Sequence, residues 1–183
     1  MAAKFKMKEL VGVEPITARL GTGTGSANYY TDTEIGKAVK MVGDSRYALC
    51  AAGDAIEGFI TAVETYTADD YSIGSVQQEY RKSVTLDGLQ ATPGTGTIDV
   101  GDYVVCGTVV AKGTALTGSV KVCKATNQPG ATVTTADNVV GNINAAIAKV
   151  VDSTKVAQFG WRVVSLDGTT AVGQTATIER VCA

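Results

Sequence analysis

The sequence predicts a mainly β domain, and three observations support this prediction. Ala, Thr, Val and Gly make up about half of the 183 residues, and Val and Thr pack well on the pleated surface of a strand. Leu, the usual core residue of helical bundles, occurs only seven times. Short apolar runs recur along the chain with Gly and Asp turn signals between them. Many short strands at near-regular spacing favour a barrel or a sandwich.

Each predicted strand is bounded by residues that favour turns. The strands are expected at residues 35–42, 46–52, 57–66, 71–86, 103–111 and 119–125. The turn signals between them are Gly43-Asp44, Gly53-Asp54, Asp69-Asp70, Asp87-Gly88, Lys112-Gly113 and Asn127-Gln128-Pro129-Gly130. Asp-Gly is a strong hairpin dipeptide, and it occurs at 87–88 and again at 167–168. The segment 157–182 is therefore expected to be a strand, an Asp-Gly turn and a second strand.

One segment departs from the strand pattern and predicts a short helix over about residues 135–151. Its apolar residues are spaced as on one face of a helix. They are Val139, Val140, Ile143, Ile147, Val150 and Val151. Thr135 suits the N-cap position and Asp137 suits the first turn. Gly141, Asn142 and Asn144 weaken the helix, so a strand is the alternative.

The first 34 residues are expected to form an extended N-terminal arm that is flexible when free, followed by a single β-rich domain over 35–183. Residues 21–26 consist of Gly, Thr and Ser alone, and such low-complexity stretches behave as flexible chain. Near the N-terminus, basic and apolar residues alternate, which is strand periodicity with one basic face. Deleting residues 1–30 is accordingly expected to leave a folded domain and to weaken assembly.

The charge distribution and the aromatic residues suggest surfaces for assembly. Residues 1–20 carry a net charge of +2, whereas the window between Arg46 and Arg81 carries about −6. A basic arm and an acidic patch favour docking between copies or onto a larger assembly, with ordinary solvated charge as the alternative. Trp161 suits an interface anchor or a core position. The candidate assembly contacts are Lys4, Phe5, Lys6, Met7, Lys8, Tyr29, Tyr30 and Trp161.

The residue inventory argues against an enzyme. His is absent, which removes the commonest general base, the Ser–His and Cys–His nucleophile pairs and the His-containing zinc sites. The cysteines are not arranged as Cys-x-x-Cys and are expected to be free thiols. They are Cys50, Cys106, Cys123 and Cys182. No catalytic, metal or cofactor site is therefore predicted.

Nucleic acid and membranes are not expected partners. The net charge of −2 gives no general attraction to a phosphate backbone. No apolar run in the sequence approaches the ~18 residues that a membrane span needs.

Several stretches carry a family resemblance. They are residues 35–40 (IGKAVK), 49–60 (LCAAGDAIEGFI), 100–104 (VGDYV), 160–168 (GWRVVSLDG) and 173–178 (GQTATI). Two of these stretches contain a Gly-Asp motif, at 53–54 and 101–102, and the motifs are mostly turn chemistry. These stretches resemble the small capsid decoration, or cement, proteins of tailed bacteriophages.

The resemblance implies a β-barrel or β-tulip-like domain in a structural virion protein. Such a protein would bind the outside of an icosahedral head and stabilise it by bridging major capsid subunits. It would also bind itself as a dimer or trimer. It would be made in the host cytoplasm and would end on the exterior of the capsid, without a cofactor.

Two other functions remain open at the level of the sequence. Another self-assembling phage structural protein, such as a tail-tube subunit, would have the same β-rich composition without catalytic residues. An enzyme or ligand-binding barrel would have to rely on carboxylates alone. The candidates for that chemistry are Asp54, Asp69, Asp70 and Asp102.

Overall fold

A computed structural model describes residues 15–23, 25, 28–43, 46–64, 72–78, 81–125 and 160–181. Within these ranges the chain forms eleven strands and one short 3₁₀ turn, which confirms the mainly β fold class. The strands are β1 Ile16–Leu20, β2 Ala38–Gly43, β3 Arg46–Leu49, β4 Gly58–Glu64, β5 Ser72–Gln77, β6 Arg81–Leu89, β7 Thr92–Pro93, β8 Val104–Cys106, β9 Lys121–Lys124, β10 Trp161–Leu166 and β11 Thr175–Arg180. None of the helical structure in these ranges is long and apolar enough to cross a membrane.

Strands β1 to β5 form a first sheet whose pairings close into a ring. The order around the ring is β1-β3-β2-β4-β5. β1 closes it, because this strand pairs antiparallel with β5 and parallel with β3. Successive side chains of a strand point to opposite faces, and one set is buried inside the ring. This set includes Leu20, Val39, Tyr47, Ile60 and Val76.

The remaining strands form a second sheet in the order β10-β11-β6-β9-β8, with β7 paired to β6 beside this path. The two ends of the sheet meet through a bridge between Tyr103 and Arg162. The Gly101 N–H also donates to the Val163 carbonyl at 2.8 Å. Both end strands are therefore partly covered, which limits strand addition from another chain.

The two sheets share an apolar core between them. Phe59 of β4 meets Trp161 of β10 edge to face, with ring centroids 5.7 Å apart. Buried around these rings are Ala38, Cys50, Ile56, Val84, Leu86, Ile98, Val104, Cys106, Val120, Val122, Val163, Ala176 and Ile178. The protein is therefore a two-sheet β domain, in which the closed ring is only one part.

The domain boundary expected at residue 34 does not fit the described structure. β1 lies inside the expected arm, yet it closes the first sheet, and its Leu20 is 1% exposed. Tyr30 and Glu34 are buried as well. From residue 15 onward the expected arm thus belongs to the β domain, and a deletion of residues 1–30 removes a core strand. Residues 1–14 lie outside the described ranges, and their role as an arm stays a prediction.

A pair of substitutions within β1 tests this correction. We expect Leu20→Ala to lower the free energy of unfolding by at least about 2 kcal/mol, because it opens a cavity in the ring. Ile16→Ala in the same strand is the control, since Ile16 is 44% exposed and its truncation should change stability by less than about 1 kcal/mol. Urea denaturation followed by circular dichroism measures both. Equal, small effects would mean that β1 contributes little to the fold.

Most predicted strands agree with the structure in position, but several features differ. The strand predicted over 103–111 is only three residues long, β8 Val104–Cys106. The single strand predicted over 71–86 is divided into β5 and β6. Asp87-Gly88 does not form a hairpin turn but lies within β6, with Asp87 only 4% exposed. Its carboxylate accepts the N–H of Thr108, a partner distant in sequence, at 2.7 Å. Gly88 has φ +84° at a shift in the strand register, so the dipeptide makes an irregularity inside a strand. The segment 135–151 lies outside the described residues.

Candidate assembly surface

The structure places the sequence-predicted contact residues in three settings. Tyr30 and Trp161 are 4% and 1% exposed, so both are core residues and leave the set of candidate contacts. Tyr29 is half-buried and stays a candidate. The remaining candidates fall outside the described residues, and they are Lys4, Phe5, Lys6, Met7 and Lys8.

The polar atoms of the two buried aromatic residues have partners inside the domain. The indole N–H of Trp161 donates to the Ile56 carbonyl at 2.9 Å. The hydroxyl of Tyr30 accepts the backbone N–H of Leu49 at 3.0 Å. A buried Tyr or Trp usually finds such a partner. Both residues therefore stabilise the protomer and cannot insert into a neighbour without unfolding part of it.

The connection between β8 and β9, residues 107–120, is the candidate functional surface and is called the β8–β9 loop below. It is long for a strand connection and has no regular secondary structure. Lys112 is its one charged residue, and the others are Gly, Thr, Ser, Ala, Val and Leu. Its Val109 is 45% exposed. Depletion of charge on an exposed and well-positioned segment is typical of the centre of a protein–protein interface.

Two buried charged side chains hold the β8–β9 loop against the first sheet. Glu34, in the 3₁₀ turn Asp32–Glu34, is fully buried, and its Oε1 accepts the Gly113 N–H at 2.6 Å. Lys37 is 5% exposed and donates to the Ala111 carbonyl at 2.9 Å and to Glu34 Oε1 at 3.3 Å. Ions removed from water need such further hydrogen bonds to offset the loss of hydration. Here the loop backbone supplies them.

The turn that carries Glu34 is organised by its own sequence. Thr31 and Glu34 form a capping box, in which the Thr31 N–H donates to Glu34 Oε2 at 2.8 Å. Burial alone would raise the pKa of Glu34. The backbone N–H groups of Gly113 and Thr31, helped by the Thr33 hydroxyl and the Lys37 ammonium, instead lower it to about 2. Glu34 is therefore ionised near neutral pH and available to bind the loop.

The ends of the β8–β9 loop are fixed to the second sheet. Asp87 Oδ2 accepts the N–H of Thr108 near the start of the loop, at 2.7 Å. Near its end, the hydroxyls of Ser119 and Thr85 are 2.7 Å apart and share a hydrogen bond. The loop thus spans the junction of the two sheets, and its backbone is held on both sides.

A cavity of about 60 Å³ lies beneath the loop at this junction. Its lining includes Val109, Val110 and Leu116 from the loop, and Leu49, Cys50 and Cys106 from the body of the domain. A Cβ added at Gly36 would come within 3.4 Å of Leu116 Cδ2. Gly36 therefore lies directly against Leu116 of the loop.

Two of the four candidate carboxylates have structural roles. Asp54 Oδ2 accepts the N–H of Ala51, three residues earlier, and Asp102 Oδ2 accepts the N–H of Asp99 in the same way. Each also pairs with a lysine, Lys40 at 2.6 Å and Lys124 at 2.7 Å respectively. The two Gly-Asp motifs are therefore the same aspartate-anchored turn. Asp69 and Asp70 lie outside the described residues.

The described residues contain no group of three or more His, Cys, Asp or Glu side chains that could hold a metal ion. No protein-family model, curated protein or solved structure matches this chain.

Sequence reasoning missed the β8–β9 loop and both of its charged anchors. It assigned 103–111 to a strand and 112–113 to a turn, because Val and Thr dominate this stretch. Two signals were present: the uncharged run on either side of Lys112, and the Thr-x-x-Glu pattern of Thr31 and Glu34.

Proposed function

We propose that this chain is a structural virion protein that binds the outside of an icosahedral phage head and stabilises it by bridging major capsid subunits. The observation that carries the proposal is the β8–β9 loop, an exposed and almost uncharged segment fixed by buried charges. The resemblance of the two Gly-Asp motifs to decoration proteins supports the same proposal. In this fold the Gly53-Asp54 turn hydrogen-bonds the backbone of Cys106, the last residue of β8, from which the β8–β9 loop projects.

A fixed loop suits binding to a repetitive lattice. A segment that is already ordered loses little conformational entropy when a partner covers it, so modest contacts suffice for each copy. Copies that also contact one another as a dimer or trimer would add avidity without new capsid contacts. The closed first sheet and the meeting ends of the second sheet leave loops, rather than the main strand edges, as the contact surface.

Binding to heads that lack this protein tests the proposal. Purified protein is mixed with such heads, and cryo-electron microscopy is used to look for added density on their outer face. We expect wild-type protein to add density at regular positions. We expect Val109→Glu to bind at least about tenfold more weakly, because it places an unpaired charge in a desolvated interface.

Val172→Glu is the matched control for Val109→Glu. Val172 is 37% exposed and lies between β10 and β11, outside the β8–β9 loop. The Val172→Glu variant should bind heads as the wild-type protein does. Both variants should keep the wild-type unfolding midpoint. Polymerisation into tubes without head binding would favour the tail-tube alternative. A lack of binding by folded wild-type protein would contradict the proposal.

A further inference from the structure

Two thiols meet beneath the β8–β9 loop. Cys50 directly follows β3 and Cys106 ends β8, and they are 4% and 3% exposed. The backbone holds the two segments together, because the Gly53 N–H donates to the Cys106 carbonyl at 2.8 Å and the Cys106 N–H donates to the Asp54 carbonyl at 2.9 Å. Both side chains line the same cavity and belong to the same core cluster. Both thiols are free.

The surroundings of this pair determine which reagent can react with it. The Cys106 thiol beside it, followed by burial, raises the pKa of Cys50, so Cys50 is protonated at neutral pH and reacts slowly. The cavity of about 60 Å³ is large enough for water-sized molecules. Hydrogen peroxide is of that size, whereas a disulfide of two tripeptides such as oxidised glutathione is far larger. The site should therefore select its oxidant by size.

We propose that Cys50 and Cys106 are an oxidative modification site, at which hydrogen peroxide forms a reversible disulfide that joins the two sheets. Peroxide oxidises the sulfur of one thiol to a sulfenic acid and is itself reduced to water. The second thiol then attacks that sulfur, the sulfur–sulfur bond forms, and the hydroxyl leaves with a proton as a second water. Two thiols and one peroxide thus give one disulfide and two waters.

The position of the bond gives it a structural consequence. It would link the end of β3 in the first sheet to the residue that immediately precedes the β8–β9 loop. It would also close the long chain segment between positions 50 and 106, which restricts the unfolded state. Oxidation is thus expected to stabilise the junction on which the loop lies. The inference does not depend on the proposed function, because it concerns the isolated protein.

The test is mass spectrometry of the folded protein after treatment with millimolar hydrogen peroxide. We expect the intact mass to fall by about 2 Da, the loss of two hydrogens, and peptide mapping to link Cys50 with Cys106. The melting temperature should rise by about 5–10 °C. Dithiothreitol should reverse both changes. Oxidised glutathione at the same concentration should form the bond much more slowly.

Two variants make the assignment specific. Cys123→Ser is the matched control: Cys123 is also buried, but in a separate cluster with Val105 and Ala125, and the variant should form the disulfide normally. Cys50→Ser should lose the bond and leave a sulfenic acid on Cys106, which dimedone labels once the peroxide-treated protein is unfolded in denaturant. The proposal is overturned if peroxide leaves the wild-type mass unchanged, whether or not dimedone labels Cys106 in Cys50→Ser. It is equally overturned if the only disulfide involves Cys123 or Cys182.

Discussion

Replacing Trp161 with Ala is expected to lower the free energy of unfolding by about 3–5 kcal/mol. Trp161 is the largest fully buried side chain in the described residues and contacts the ring of Phe59 at the junction of the two sheets. The substitution removes this contact, opens a large cavity and leaves the Ile56 carbonyl without the indole N–H that donates to it at 2.9 Å. Urea denaturation of the purified protein measures the change.

Two comparisons separate a core role from a contact role for Trp161. Trp161→Phe keeps an aromatic ring but lacks the N–H, so its cost should be smaller, about 1–3 kcal/mol. Unfolding of the wild type and Trp161→Ala is also followed at several protein concentrations. A core residue produces the same loss at every concentration. A loss seen only where copies associate would restore Trp161 as an interface anchor.

Replacing Glu34 with Gln is expected to cost about 3–5 kcal/mol at neutral pH. The substitution leaves the ammonium of Lys37 buried without its carboxylate partner, which lies 3.3 Å away in the wild type. It also exchanges the charged acceptor of the Gly113 N–H for a neutral one. Adding Lys37→Met to Glu34→Gln should recover most of the loss, because no charge is then left unpaired. A double variant as unstable as the single one would contradict this account.

The same carboxylate predicts how stability depends on pH. The pKa of Glu34 falls from 4.5 to about 2 on folding, so its contribution is fully present above pH 4.5 and is lost as pH falls towards 2. The size of the shift corresponds to about 3 kcal/mol. Wild-type protein should lose this much stability over that interval relative to Glu34→Gln, whose side chain does not titrate. Denaturation at a series of pH values measures the difference, and parallel curves would contradict the prediction.

Limited proteolysis connects Glu34 to the β8–β9 loop. Trypsin can cleave after Lys112, which lies next to the residue whose N–H binds Glu34 Oε1. Cleavage at this position should be slow in the wild type and faster in Glu34→Gln at neutral pH, because the loop backbone has lost its charged anchor. Cleavage after Lys121 in β9 provides an internal control for global unfolding.

The strand content and most strand positions could be predicted because they depend on local sequence. Alternating β-branched residues, interrupted by Gly-Asp and similar pairs, located β2, β3, β4 and β9 to within a few residues. Asp87-Gly88 shows the limit of this reasoning. A dipeptide that favours a hairpin turn lies within β6, because its carboxylate binds Thr108 from a distant loop. No local pattern records such a partner.

The site was less predictable than the fold because it depends on pairs that are distant in sequence. From the sequence, Trp161 suits a core or an interface equally well. The structure assigns it to the core, because its ring contacts Phe59 and its indole N–H donates to the Ile56 carbonyl. The sequence predicted an arm over residues 16–34 because Gly and Thr are frequent there, and such a composition is typical of flexible chain. The pairing of β1 with β3 and β5, which closes the first sheet, depends on residues distant in sequence.

A mainly β chain with Gly-Asp turns, without histidine and with little charge, can be read directly from the sequence. These properties follow from residue composition and short-range patterning, which need no knowledge of contacts. The three-dimensional fold was needed to show which residues are exposed, which strand closes the first sheet and which charges anchor the β8–β9 loop. Glu34 and Gly113 are separated by 79 positions in the chain. Burial and pairing over such distances are set by how the strands cross and pack, and that information is absent from any local stretch of sequence.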